Sequence, residues 1–464
     1  MASRRWLPAA VFLAVAGTFL FKPIAVAALR GRMAASQPAA WDAVTTNGSF
    51  STLVPHLFVG RYCDEALYAS RVNQIFVHGV PYNPYLREDR SFAGWSADFI
   101  THYLVAAGVL VTGGGLRLGW PALTAVLAGL WALLFFAVFR RWSGNDEVAA
   151  PLALASALFP DLYVWVLDVN FNPYVTLERY ASVFFQQQAN ILPVFHRMPS
   201  LFLSLFILSL LFVALWRLSY DEARRPRSAA LVGLGFVLMR YVHPFEYAFG
   251  MASLTGLTVW AWAVRSSGLS RANLTTAFAV ALAGAGVYGW MALSWGSSGV
   301  VDFIEPRFTR RFYLITLVHV AFSAWGVLKA RAEADPARRA AWLLLAAVQA
   351  AAFMVRNTQV VLGFELQVMH YIPMGSFYGV LMLALASAAW LAGRRGWDAR
   401  AGAAACLGLV VWGLANQAVA AKETYLLCGL PRDVEAALGW VDETVPKDGL
   451  VVSLSAEANT TIPL

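Results

Sequence analysis

Apolar positions in this chain gather into long, nearly unbroken runs. They show neither the alternation of a half-buried strand nor the stripe of a water-soluble helix. After Arg4 and Arg5 a first run extends to Leu29, and others fall at about 118–139, 149–167, 200–217, 228–243, 247–264, 273–294, 311–329, 340–355, 372–392 and 401–420. Runs of this length match the thickness of a bilayer and predict an all-α polytopic membrane protein with roughly ten or eleven transmembrane helices. The first run competes with a signal peptide ending at Ala25-Val26-Ala27, but it is long for that role and reads as an uncleaved helix.

Polar positions sort by side. Arg140-Arg141, Arg217 with Arg224, Arg225 and Arg227, Arg265 with Arg271, Lys329 to Arg339, and Arg394-Arg395 with Arg400 all fall in alternate short loops. Short arginine-rich loops face the cytoplasm. The outer segments are then 30–117, 168–199, 243–247, 295–310, 356–371 and the tail from Lys422. Within the first of these, Ile100 to Thr112 reads as an amphipathic helix at the membrane surface. The run 228–243 is short and is expected to break at His243-Pro244. Gly113-Gly114-Gly115 reads as a turn between helices. The domain reading is a membrane domain over 1–421 and an outer segment over 422–464. In that segment Pro431-Arg432-Asp433 opens a helix to Val441 and Gly449 to Leu454 follows as a strand, the start of a small α/β domain. No second strand follows, so the tail either packs on the outer loops or belongs to a longer chain.

Composition agrees. Apolar residues make up 59%, charged residues 13%, and mean hydropathy is +0.58, against roughly 25% charged in soluble domains. The net charge of +8 is explained by arginines at helix ends. No basic run interleaves with aromatics, which excludes nucleic acid as a partner. Lysine occurs only at Lys22, Lys329, Lys422 and Lys447, an arginine bias that suggests a GC-rich prokaryotic source and hence a plasma membrane. Cys63, Cys406 and Cys428 lack metal-ligand spacing; Cys63 and Cys428 both fall in outer segments, but spacing alone does not pair them.

The richest polar stretch is Arg61-Tyr62-Cys63-Asp64-Glu65-Ala66-Leu67-Tyr68, continuing to Arg71, Asn73 and Gln74. Ala66, Leu67, Ala69 and Val72 suggest a helix, on which Asp64 and Glu65 point about 100° apart, so only one can face a given pocket. Glu65 stands four residues after Arg61, as in an ordinary helix ion pair. A solvated loop with local ion pairs is the competing reading.

A first helix, then a long outer loop bearing Asp64-Glu65 with Tyr68, then many helices resembles the GT-C superfamily of membrane glycosyltransferases. Protein O-mannosyltransferases and aminoarabinose transferases are members. Val80-Pro81-Tyr82-Asn83-Pro84 and the segment near His102-Tyr103 resemble the same first loop, and the tail resembles the outer domain of bacterial members. The resemblance implies a polyprenyl-phosphate-linked sugar as donor. It also implies an acceptor (saccharide, lipid or protein) on the outer face of the plasma membrane, and Asp64 as general base. Asp168 and Glu178 are candidates for a second acid, though no fixed spacing selects either.

A phosphate leaving group calls for guanidinium, which grips it in a bidentate fork. Arg179, Arg197, Arg240 and Arg356 stand at outer edges of the runs, with His196, His243, Glu246 and His370 beside them. Arg240, Glu246 and Arg356 sit near the boundary in apolar surroundings, where ionisable groups carry function by default. Interfacial anchoring is the alternative for any single one. Tyr163, Trp165, Phe171, Tyr174, Tyr180, Phe184 and Phe185 could line a saccharide groove or form an interfacial belt. Gln186-Gln187-Gln188 and Asn190 offer amides to sugar hydroxyls or form a solvated turn. No Asp-x-Asp pair, P-loop, His-Glu-x-x-His or Gly-x-Ser-x-Gly occurs, so no metal or cofactor is expected. A transporter or a flippase of lipid-linked saccharides is the rival reading. It calls for polar residues at mid-membrane and often two related halves, and no half-repeat is visible.

Overall fold

The computed structural model describes residues 5–36, 64–81, 99–113, 115–158, 202–221, 223–264, 267–294, 307–365, 371–394, 397–427, 440–441 and 443–444. These residues build an all-α membrane protein. In chain order the helices are α1 (Leu7–Ser36), α2 (Asp64–His78), α3 (Phe99–Gly113), α4 (Leu116–Ser143), α5 (Asp146–Leu158), α6 (Phe202–Tyr220), α7 (Pro226–Val242), α8 (Pro244–Ala263), α9 (Arg271–Ser294), α10 (Leu317–Ala332), α11 (Pro336–Val355), α12 (Thr358–Leu362), α13 (Tyr371–Ala392) and α14 (Ala399–Leu427). Two-residue strands β1 (Arg307–Phe308) and β2 (Phe364–Glu365) pair antiparallel, with Arg307 opposite Glu365. Of the expected tail, Trp440–Val441 is helical; the rest of that helix and the strand over 449–454 lie outside the described residues.

Among the described residues, seven helical stretches are long and apolar enough to cross a membrane: Leu7–Ala25, Leu118–Ser143, Phe202–Tyr220, Leu314–Ala332, Pro336–Val355, Met374–Ala392 and Ala399–Ala418. The expected runs at 228–243, 247–264 and 273–294 form α7, α8 and α9 in the same bundle without being among those seven. Of 149–167, the described part ends with α5 at Leu158.

α11 lies at the centre, packed against α6, α8, α10 and α13. Its run of alanines explains this: small side chains let neighbouring backbones approach, which is how helices associate inside lipid. Its start is fixed by Pro336 in the first turn and by Asp335, whose side chain accepts from the Ala337 N–H at 2.8 Å; such a cap contributes about 1 kcal/mol. α1, α4, α5 and α14 form one flank, and α7, α8 and α9 the other. An aromatic knot joins α4, α6 and α13, where Trp131 meets Phe135, Phe202, Phe206 and Phe377 with ring centroids 5.2–6.2 Å apart.

α3 ends at Gly113 and α4 begins at Leu116, on either side of the expected turn, and glycine makes their approach close. A Cβ on Gly119 would lie 2.4 Å from the Val109 carbonyl oxygen, so only glycine lets α3 fold back on α4. α3 itself departs from the surface helix expected. Thr101, His102, Val105, Ala106 and Val109 are buried against the bundle, while the opposite side exposes Leu104, Leu110 and Val111. Its exposed side is apolar, and Thr101 and His102 are turned inward.

The break at His243-Pro244 is where the sequence placed it. His243 is extended (φ −166°, ψ 128°), as a residue preceding proline prefers, and Pro244 opens α8. Asn273 ties down the arginine-rich loop between α6 and α7. Its amide donates to the carbonyls of Leu218, Asp221 and Ala223, and it accepts from the Arg225 N–H. Across that loop the hydrogen bond from Arg225, and then the Ala223 N–H, hold the Asp221 carboxyl below the usual carboxylate range.

Candidate functional site

Buried polar groups concentrate at the end of the bundle away from the arginine-rich loops, where α6, α10 and α13 begin and α7 and α11 end. One cluster forms at the α7–α8 break. Glu246, fully buried, accepts a hydrogen bond from Ser204 of α6 at 2.6 Å and pairs with Nδ1 of His243. The i, i+3 spacing places both on one face, and the first turn of α8 favours a carboxylate through the helix dipole. Arg240 stands one turn earlier on α7, 8% exposed. Thr101 of α3 donates to the Val242 carbonyl at 2.9 Å, and Phe99 meets Tyr241 edge-on, so α3 braces the break.

The second cluster joins α10, α11 and α13. His319 and Gln349 are fully buried and Arg356 is 3% exposed. Nδ1 of His319 lies 2.7 Å from the Gln349 side-chain oxygen. The Gln349 amide donates to the Gly375 carbonyl at 3.0 Å. Nη1 of Arg356 reaches Nε2 of His319 at 3.4 Å. Arginine is only a donor, so the contact requires a lone pair on Nε2 and places the His319 proton on Nδ1, facing Gln349. The imidazole packs closely enough on α13 that a Cβ at Gly375 would lie 2.8 Å from its Cε1. Arg356 is positioned in turn by its neighbours. Asn357 donates to Thr316 at 2.8 Å and accepts from the Tyr313 N–H at 3.0 Å, and Gln359 donates to the Arg311 carbonyl at 2.9 Å.

The two clusters meet at the start of α13. Tyr371 packs on Phe245, which neighbours His243, with ring centroids 5.5 and 5.4 Å apart. Gly375, one turn along the same face, touches His319. Two arginines, two histidines and one carboxylate therefore flank a single helix end inside an apolar bundle. Such an arrangement can hold an anion and set a proton beside it. Among the described residues no three His, Cys, Asp or Glu side chains converge as metal ligands do.

Of the residues singled out from sequence, Arg240, His243 and Glu246 come together, and Arg356 stands across the start of α13 from them. Asp64 opens α2, which also carries Glu65 and Tyr68; the side chains of these three lie outside the described residues. So do Asp168, Glu178, Arg179, His196, Arg197, His370 and the aromatic and amide-rich stretch between 163 and 190. α2 is anchored through Ala69 and Val72, both fully buried, and the Tyr103 hydroxyl donates to the Gly79 carbonyl at its end, at 2.9 Å. Sequence reasoning missed His319, Gln349 and Ser204. The signal was available for the first two, a histidine and a glutamine inside otherwise apolar runs.

No protein-family model matches the chain, and no curated protein sequence does. Among solved structures it is similar to the oligosaccharyltransferase of Archaeoglobus fulgidus tethered to an acceptor peptide, at 14% identity and a TM-score of 0.39, and to the apo form of that enzyme at 13% and 0.38. The matches cover 96% of this chain but only 58% and 59% of the archaeal one. Likeness this slight transfers neither fold nor activity from one chain to the other.

Proposed function

We propose that the chain is an integral membrane glycosyltransferase of GT-C type that takes a sugar from a polyprenyl-phosphate-linked donor at the outer leaflet of a plasma membrane. The observation that carries this reading is the burial of Arg240 and Arg356 at the end of the bundle opposite the arginine-rich loops. Arg240 stands one turn before the α7–α8 break that packs on Tyr371, and Arg356 stands against the His319 that packs on Gly375. A lipid phosphate rests at that depth and needs charge-assisted donors in a site shielded from water. The acceptor hydroxyl comes from outside and loses its proton, late in the reaction, to Asp64. The glycosyl centre develops oxocarbenium character, so a carboxylate of ordinary basicity suffices. Direct displacement inverts the anomeric carbon. The arginines offset charge growing on the departing phosphate.

Arg240→Ala and Arg356→Ala are each expected to lower kcat/KM for a polyprenyl-phosphate sugar by about 10²-fold, the usual loss for one donor at a developing oxyanion. The measurement is transfer of labelled sugar in nanodiscs, with the thermal midpoint of each variant checked. Unchanged donor kinetics in both variants would reject the assignment.

Orientation follows from the same loops. In a background without the native cysteines, Val361→Cys, a position 81% exposed beside Arg356, is expected to react with an impermeant thiol reagent on intact cells. Ala334→Cys, exposed in the loop before α11, is expected to stay unlabelled. The opposite pattern places the polar end in the cytoplasm and removes the outer-face scheme.

A further inference from the structure

A groove of about 510 Å³ lies between α1 and α4 at the arginine-rich end of the bundle. It arises because the two helices do not match in length there. They run antiparallel and meet where Phe12 covers Gly129, so closely that a Cβ on that glycine would lie 2.6 Å from the ring. The face of α4 that meets Phe12 continues, at i, i+3 and i+4 spacing, through Leu133, Phe136, Ala137, Arg140 and Arg141. α1 begins at Leu7, one residue before Pro8, so it has no further turn with which to cover that face. Pro8, Leu133, Phe136 and Ala137 form an apolar floor, with Arg140 and Arg141 at its end. Gly144, left-handed at φ 68°, then turns the chain away. Of the lining residues only the two arginines carry polar side chains. Ala137, Arg140 and Arg141 are exposed, so the groove is open to its surroundings.

The two arginines are held differently. Nε of Arg140 lies 2.8 Å from the Asp146 carboxylate, which fixes that side chain beside the groove. Arg141 has no ion pair among the described residues. Arg5 and Trp6, both exposed, stand just before Pro8. Setting topology takes charge alone and does not call for a concave apolar floor beneath it. Leu133 to Arg141 belong to the span Leu118–Ser143, so the groove sits at the end of a membrane span, the depth at which headgroups rest and indoles such as Trp6 anchor. Basic pockets between spans at this depth take anionic headgroups. The volume is more than three times the roughly 150 Å³ that admits benzene, and the stretch from Leu133 to Arg141 is about 12 Å of helix. That is room for a phosphate and the first part of one hydrocarbon chain. We propose that this groove is a binding site for an anionic phospholipid of the leaflet at the arginine-rich end. Its phosphate meets Arg140 and Arg141, the upper carbons of one acyl chain rest on Phe136, Ala137 and Leu133, and the remainder of the lipid stays in the bilayer. The site is independent of the glycosyltransferase reading and uses none of its residues.

The experiment is native mass spectrometry of the full chain, stripped of lipid in detergent and titrated with palmitoyl-oleoyl phosphatidylglycerol or with phosphatidylcholine of the same chains. Wild type is expected to take up phosphatidylglycerol in preference to phosphatidylcholine, and to keep it in a large excess of inorganic phosphate. Arg141→Gln is expected to weaken phosphatidylglycerol binding about fivefold, the loss that goes with one cation at the membrane surface, and to leave phosphatidylcholine unchanged. Ala137→Trp, which fills the floor from an exposed position, is expected to lower uptake of both lipids about tenfold. Arg224→Gln removes an exposed arginine from the α6–α7 loop and is expected to change nothing. Arg141 is exposed and outside any ion pair, so its variant decides the matter even where Ala137→Trp unfolds. Wild type without a headgroup preference, uptake unchanged by Arg141→Gln, or an equal loss in Arg224→Gln would each overturn the proposal. So would phosphatidylglycerol displaced by inorganic phosphate, or dimers in place of lipid adducts.

Discussion

Replacing Asp64 by Asn is expected to lower sugar-transfer turnover by roughly two to four orders of magnitude, the usual loss when a general base is removed. Asparagine keeps the shape and hydrogen bonding of the side chain but accepts no proton, so donor KM is expected to change little. Glu65→Gln is expected to cost far less. α2 begins at Asp64, and consecutive residues of a helix point about 100° apart, so one pocket takes only one of the two carboxylates. The helix is held where its start can matter, through Ala69 and Val72 against α3 and through the hydrogen bond from Tyr103 to Gly79. The readout is labelled-sugar transfer from a purified lipid donor in nanodiscs, with folding checked for each variant. An active Asp64→Asn enzyme rejects the mechanism. A Glu65→Gln enzyme that alone is dead keeps the motif and exchanges the roles.

Glu246→Ala is expected to destabilise the bundle by about 3–5 kcal/mol, the range for removing one partner of a buried ion pair. Its carboxylate is fully buried and serves Ser204, His243 and the helix end at once, so truncation strands polar groups on α6 and α7 as well as leaving a cavity. Glu246→Gln retains an acceptor for Ser204 and is expected to lose less. Thermal unfolding in detergent, followed by the loss of monodisperse protein, separates the two. Equal midpoints for Glu246→Ala and wild type would show that the carboxylate contributes no net stability.

The fold class was legible because lipid imposes a pattern that water does not. Long apolar runs and one-sided arginines are properties of the chain itself, and they located the bundle, the break before Pro244 and the turn at Gly113. α3 differs from the amphipathic surface helix expected over Ile100 to Thr112, because Thr101 and His102 are buried against the bundle while Leu104, Leu110 and Val111 are exposed. Of the site, Arg240, His243, Glu246 and Arg356 could be named because charge is rare near apolar runs. That the first three are neighbours followed from the i, i+3 spacing on either side of a proline break. That Arg356 faces His319 did not, since 37 residues separate them and only the packing of α10 on α11 brings them together. Gln349 was overlooked although it interrupts an apolar run, because a neutral amide draws less notice than a charge, yet one turn of an alanine-rich helix delivers it to two neighbours.

That amide also bears on whether the bundle can rock. An alternating-access carrier slides one group of helices past another around a fixed site. Gln349 takes a bond from α10 and gives one to α13, so it works as a rivet through three plates. Translation of α13 along α11 by even one residue, about 1.5 Å, would shear the bond to Gly375, and the same slide of α10 would shear the bond to His319, where both groups are buried. Machinery built this way suits a stationary vise, in which substrates come and go and the jaws stay put.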